Sequence, residues 1–184
     1  MIPFHRDGTD LVAELDDFEV ALVTSLVAQV NELIGGAGEP AASDDPFARW
    51  ARELRSEPLD RSDPVVARLF PDAYEDEVAA AEHRRFSQDA LRRQRITDSE
   101  VVLADLAATA DGKEPLVVAK ADLDAWLKTL NGVRLSLAVR LGIESEDDHA
   151  DLEKLPARDP RTQLVALYDW LGLVLESLLD AAHS

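Results

Sequence analysis

The sequence contains no cysteine, which excludes a disulfide framework, thiolate catalysis and a Cys-based zinc site within these 184 residues. The same lack fits a reducing cytoplasm. Aromatic residues make up only 5% and methionine occurs once, so an aromatic-rich β-sandwich is disfavoured. Basic residues are scarce: 19 Lys and Arg stand against 37 Asp and Glu, giving a formal net charge of -18 and a pI near 4.4. So acidic a chain repels phosphate backbones and anionic bilayers, which argues against nucleic acid or membrane as a direct partner. No run approaches the roughly 18 uninterrupted apolar residues of a membrane span. The opening MIPFHRDGTD has no basic segment leading into an apolar one, so no secretory signal is expected. The expectation is a soluble, cytoplasmic protein.

What is present points to helix. The chain is 46% hydrophobic, dominated by Leu, Val and Ala, and 30% charged, so it should fold around a full core rather than stay disordered. The length fits one domain over residues 1–184, with flexible loops at 35–45 and 144–158. The fold class expected is mainly α: a single-domain helical bundle with a small β-hairpin or short sheet. The N-terminus and a strand near 116–119 would form that sheet.

Local signals place the elements. Phe4–Arg6 and Thr9–Leu15 flank Asp7-Gly8, a dipeptide that favours a tight hairpin turn. Asp16 followed by Glu19 reads as a capping box. The helix after it, about Asp17–Ile34, carries Phe18, Leu22, Leu26, Val30 and Leu33 on one stripe. Val20, Val23 and Val27 widen that stripe, so contact from two sides is expected. Gly35-Gly36 ends this helix. Asp-Pro recurs as a helix start at Asp45-Pro46, Asp63-Pro64 and Asp159-Pro160, because Asp caps free N–H groups and Pro needs no donor. The first two open short helices, about Pro46–Arg55 and Pro64–Leu69.

From Glu75 to Ala110 the pattern is helical, with a break or bend expected near Ser87 or Ile96-Thr97 and a second cap at Asp98. Asp111-Gly112 turns the chain into a strand at Leu116–Ala119. A long helix over Asp122–Leu141 closes at Gly142, and an acidic loop, Glu144–Glu153, leads to a last helix over Pro160–Ala182. Leu11–Leu33 and Leu116–Leu137 both read as strand, acidic cap and amphipathic helix, which suggests that the two strands pair beside the helical core.

Motifs for catalysis are missing. The histidines at 5, 83, 149 and 183 lack a second His three or four residues away, and there is no HExxH and no GxSxG elbow. Gly35-Gly36-Ala37-Gly38 follows a helix and lacks the Lys-Ser/Thr ending of a phosphate loop. Glu144–Glu153 (ESEDDHADLE) groups carboxylates around one His but lacks the glycine and spacing of a calcium loop, so a solvated acidic loop is preferred to a cation site. No catalytic residue, no cofactor and no metal site is assigned.

Two groups of polar residues remain. Five of the 19 basic residues fall in His83–Arg95 (HRRFSQDALRRQR). On a helix, Arg84, Gln88, Arg92 and Arg95 share a face, with Arg85 and Arg93 around the side. This island is either internal counter-charge for the acids at 72–82 or a docking face whose arginine forks grip carboxylates. Arg85, Arg92, Arg93 and Arg95 are the partner-binding candidates, the last three lying beyond the acidic run. Elsewhere Asn131, Arg134, Asp169 and Glu176 interrupt two apolar helices and are read as a structural network. Arg134 is expected to pair with Asp169 or Glu176, since an isolated buried charge is very costly. Gly172, unfavourable in mid-helix, marks a close helix approach.

Three strings carry a resemblance: LFPDAYEDEVAAAEHRRF at Leu69–Phe86, LDAWLKTLNGVRLSLAVRLGI at Leu123–Ile143 and YDWLGLVLESL at Tyr168–Leu178. With the opening FHR and the start near Asp16, the chain resembles the actinobacterial domain-of-unknown-function family 2017. That family includes proteins named as oxidative-stress regulators, understood to act through a sigma factor by way of a redox-sensitive cysteine pair. Its members are often encoded beside a Clp protease adaptor. The resemblance implies a non-enzymatic regulator in transcription or the oxidative-stress response, with a protein partner such as a sigma factor. Two departures stand out: Gly132 replaces an expected acid, and a chain without cysteine cannot carry the thiol switch. Alternatives are a structural homodimer or other homo-oligomer, an adaptor linked to Clp proteolysis and, behind these, a small metal-dependent enzyme.

Overall fold

The computed structural model describes residues 1–35, 59–74 and 76–184, leaving aside the side chains at 77, 80 and 82–86. The helix expected over Pro46–Arg55, the loop beyond Gly35 and the side chains of Arg84 and Arg85 therefore lie outside the described residues.

The chain opens with a hairpin, β1 (Ile2–Asp7) and β2 (Asp10–Glu14), turned at Gly8 with φ 62°. Antiparallel pairing sets Arg6 opposite Leu11 and Asp7 opposite Asp10, and the register shifts between Ile2 and His5. The strand β3 (Leu116–Val118) adds to the other edge of β2, with Leu11 opposite Val118 and Ala13 opposite Leu116. Alternation then turns Leu11, Ala13, Leu116 and Val118 into the core while Val117 faces outward. This is the strand pairing that the repeated strand–cap–helix pattern suggests.

Six helices accompany the sheet among the described residues: α1 (Asp17–Leu33), α2 (Pro64–Leu69), α3 (Glu77–Ala108), α4 (Leu123–Leu141), α5 (Glu146–Glu153) and α6 (Arg161–His183). Asp16 and Glu19 form the expected capping box at α1. Asp63 caps α2 by accepting from the Val65 amide at 2.7 Å, with Pro64 in the first turn. Gly142 closes α4 at φ 74°. A mainly α architecture with a small three-stranded sheet results. No helix among the described residues is long and apolar enough to cross a membrane.

Packing follows the apolar stripes. The helix α4 is central, touching α1, α2, α3 and α6, while α6 also covers β1. Trp126, Leu130, Val133 and Leu137 of α4 join Val102 and Leu106 of α3 and Leu171, Val174 and Leu178 of α6 in one core. Phe4 meets Trp126 edge-on at 6.3 Å between ring centroids. The helix α1 is contacted by both α3 and α4, but through Val20, Val23 and Val27; Phe18, expected on the buried stripe, is 70% exposed. The buried stripe is thus centred on the valines, and Phe18 lies round its edge.

Four sequence expectations change. The helix α3 runs unbroken through Ser87 and Ile96-Thr97, because its 32 residues contain neither Gly nor Pro to interrupt it. Asp98 is then a buried mid-helix residue that accepts a hydrogen bond from Gln94 Nε2 at 2.8 Å rather than a cap. The acidic segment 144–153 is no loop: Ser145 and Asp148 make a second capping box, and α5 follows. Its first-turn acids Glu146, Asp147 and Asp148 suit the positive end of the helix dipole. Leu152 anchors it to Leu141 and Val165. The helix α6 begins at Arg161, one residue later than expected, with Asp159 accepting from the Arg161 amide at 2.9 Å.

Candidate functional site

The basic island lies on α3, and most of what can be described of it turns inward. Arg92 is 8% exposed, and its Nη2 donates to the Gly35 carbonyl at 3.1 Å. Arg95 is half-buried; its Nη2 donates to the Leu69 carbonyl at 2.9 Å and its guanidinium lies 5.3 Å from the Phe70 ring centroid. Burial pushes the Arg95 guanidinium below its ordinary value, partly opposed by the charge of Asp98. Arg93 alone of the three points to solvent. The face expected for docking by Arg92, Arg93 and Arg95 is therefore reduced to Arg93, with the Arg85 side chain outside the described residues.

Four arginines follow a common rule. Each helix leaves carbonyls unpaired at its C-terminal end, where the dipole is negative. Arg92 reaches the end of α1, and Arg95 and Arg61 reach the end of α2, the latter by donating to the Phe70 carbonyl at 2.8 Å. Arg6 donates to the Ala182 carbonyl at 2.6 Å near the end of α6. Counter-charge is therefore supplied to helix ends from other elements. Arg61 also pairs with Asp72 at 3.2 Å, one of the acids the island was expected to answer.

Beside Arg95 runs a polar seam where α1, α3 and α4 meet. Ser99 Oγ lies 2.7 Å from Asn31 Oδ1. Asp98 Oδ2 and Thr129 Oγ1 are buried without a hydrogen-bond partner among the described residues, and both residues line a cavity of about 20 Å³. That is room for about one water. Gly132 borders the same cavity, with Arg95 Nη1 3.5 Å from where a Cβ would lie. A Cβ there would be in ordinary van der Waals contact with Arg95, so an acid at this position would stand beside its guanidinium.

The α4–α6 seam differs from expectation in its partners. Arg134 does not pair with Asp169 or Glu176. Its guanidinium stacks on the Tyr168 ring, 4.4 Å from the centroid, and Nε donates to the Tyr168 carbonyl at 3.4 Å. A half-exposed guanidinium can rest on an aromatic face without a carboxylate beside it. Asn131 and Glu176 are exposed, outside any buried network. Gly172 does mark a close approach: a Cβ there would lie 3.2 Å from Arg134 Nη2.

Asp169 turns instead to α5, where His149 Nε2 lies 2.7 Å from its Oδ1. The His149 ring is tilted against Tyr168 at 5.6 Å between centroids. Glu153, one turn beyond His149, completes a group whose ligand atoms lie within 4.8 Å of one another. Among the described residues these three are the set able to hold a metal ion. Sequence reasoning placed His149 and Glu153 in an acidic loop and Asp169 in a different network. The missed signal was Ser145 with Asp148, which starts a helix and so puts positions 149 and 153 on one face.

The family described as domain of unknown function (DUF2017) matches residues 1–182. The chain is 27% identical over 186 residues to the protein named oxidative stress regulator AosR of Mycobacterium tuberculosis, covering 95% of this chain and 83% of that protein. The protein of the same name from Mycobacterium bovis matches with the same identity and coverage. No solved structure matches the chain.

Proposed function

The chain belongs to the family described as domain of unknown function (DUF2017), and from that membership we propose that it is a non-enzymatic regulator acting by protein–protein interaction in transcription or the oxidative-stress response. The observation that carries this reading is the similarity, across 95% of the chain, to proteins named oxidative stress regulators. No thiol switch operates within these 184 residues, because they contain no cysteine. Regulation here works through partner binding, with a sigma factor or another transcription component as the partner. The inward turn of Arg92 and Arg95 leaves Arg93 as the basic contact among the described residues, and Arg85 stays a candidate from the sequence.

The test is affinity purification with mass spectrometry from the native host, comparing the wild type with Arg85→Glu/Arg93→Glu. A transcription component retained by the wild type and lost by the variant is the expected result. Retention of that component by the variant removes the docking role of these arginines. Enrichment of Clp components without any transcription component favours the adaptor reading instead.

A further inference from the structure

We propose that His149, Glu153 and Asp169 bind a divalent transition-metal ion of the Zn²⁺ class across the junction of α5 and α6. His149 and Glu153 are four residues apart on α5, so both side chains leave the same face of the helix. Asp169 reaches them from α6. The three ligand atoms already lie within 4.8 Å of one another. Tetrahedral donors at about 2.0–2.2 Å from one ion lie about 3.3–3.6 Å apart, so a rotamer change in exposed Glu153 together with a slight opening of the 2.7 Å His149–Asp169 pair closes the set.

The donor chemistry selects the ion. One imidazole nitrogen and two carboxylates suit Zn²⁺ and its first-row neighbours, with open positions left for water. Calcium takes six to eight oxygens, and magnesium seldom takes imidazole. The surroundings give further support. The carboxylates of Glu153 and Asp169 are held close, yet Glu153 makes no hydrogen bond or ion pair among the described residues. The neighbouring cation, Lys154, turns away to Asp151 at 2.8 Å. A dication between the two carboxylates relieves their repulsion. His149 is pre-oriented by the Tyr168 ring, which Arg134 covers on α4. Such supporting contacts fix the orientation of a ligand. Bound metal would tie the short α5 to α6, where Leu152 is now its buried anchor.

The experiment titrates the chelator-stripped full chain with ZnCl₂ by calorimetry, and with Co²⁺ as a spectroscopic probe of ligand field. One site per chain is expected. Glu153→Ala should weaken Zn²⁺ binding by at least about tenfold, since even supporting residues around a metal contribute ~10–100-fold. Glu153 is exposed, so the variant should keep the wild-type circular dichroism and unfolding midpoint. Asp169→Asn should lose the Co²⁺ visible bands, and Glu146→Ala, at the far end of α5, should leave both readouts unchanged. Equal weakening by Glu153→Ala and Glu146→Ala would mean diffuse attraction to acids and overturn the proposal. Binding no tighter than millimolar would overturn it too, leaving His149 and Asp169 as a plain hydrogen-bonded pair.

Discussion

The guanidinium of Arg134 closes over Gly172, with its Nη2 3.2 Å from the position a Cβ would take there, while it lies 4.4 Å from the Tyr168 ring centroid. The glycine and the arginine are one device. Glycine in mid-helix costs about 1 kcal/mol relative to Ala, and here it frees the space in which the cation lies flat on the ring.

Gly172→Ala should accordingly change stability little, because the helical gain of about 1 kcal/mol is offset by displacing a cation–π contact of ~0.5–2 kcal/mol. In an Arg134→Ala background the same substitution should stabilise by about 1 kcal/mol. Urea midpoints of the four proteins form a double-mutant cycle. Additive effects would show that the two residues do not share this space.

Arg95→Ala should destabilise by about 1.5–3 kcal/mol, the usual range for a hydrogen bond to a charged group. It removes the donor to the Leu69 carbonyl and the contact with Phe70. Arg95→Lys should recover only part of this, since an ammonium lacks the planar fork that stacks and donates together. Arg93→Ala, at an exposed position, should stay within about 0.5 kcal/mol. Denaturant unfolding of the three variants checks the ranking; similar losses for Arg93 and Arg95 would contradict it.

The fold was legible wherever one residue type carries a local instruction. Asp16 with Glu19, Gly8, Asp63-Pro64 and Gly142 each lie at an element boundary as read. The strand pairing was legible too, because Leu11–Leu33 and Leu116–Leu137 share the same strand, acidic cap and helix pattern. Side-chain partners were not. Charge pattern suggested that the island arginines meet acids or a partner, whereas Arg92 and Arg95 meet backbone carbonyls, acceptors that every residue carries and no sequence singles out. His149 and Asp169 are twenty residues apart and meet only once α5 exists. Ser145 was read as loop because the acids after it look solvated, although acids in a first turn equally mark a helix start.

The Asp159 carboxyl is held down to about 2, chiefly by its hydrogen bonds from the Arg161 side chain and then from the Arg161 amide. Its folded pKa lies below the ordinary 3.8, so its stabilising contribution is complete above 3.8 and is lost as pH falls through about 2. Arg161→Ala should move the carboxyl back toward 3.8 in an NMR titration. An unmoved resonance would place the cause elsewhere.

Asp105 behaves in the opposite sense. Burial raises its pKa above 3.8, while the hydrogen bond from Trp126 Nε1 at 2.7 Å works against the rise. The folded state therefore binds this proton more readily than the unfolded chain, so charged Asp105 weighs against folding at neutral pH. That penalty is relieved as pH falls through the raised value toward 3.8. Asp105→Asn keeps an acceptor for the indole and removes the charge, so it should be at least as stable as the wild type at pH 7. Its advantage should shrink as the pH is lowered. Asp105→Ala strands the N–H of a tryptophan that is 1% exposed and should cost about 1–3 kcal/mol. Unfolding free energies of the three proteins across that pH range decide the matter: an Asn variant as damaging as Ala would mean that the charge of Asp105, rather than its place as an acceptor, is what Trp126 requires.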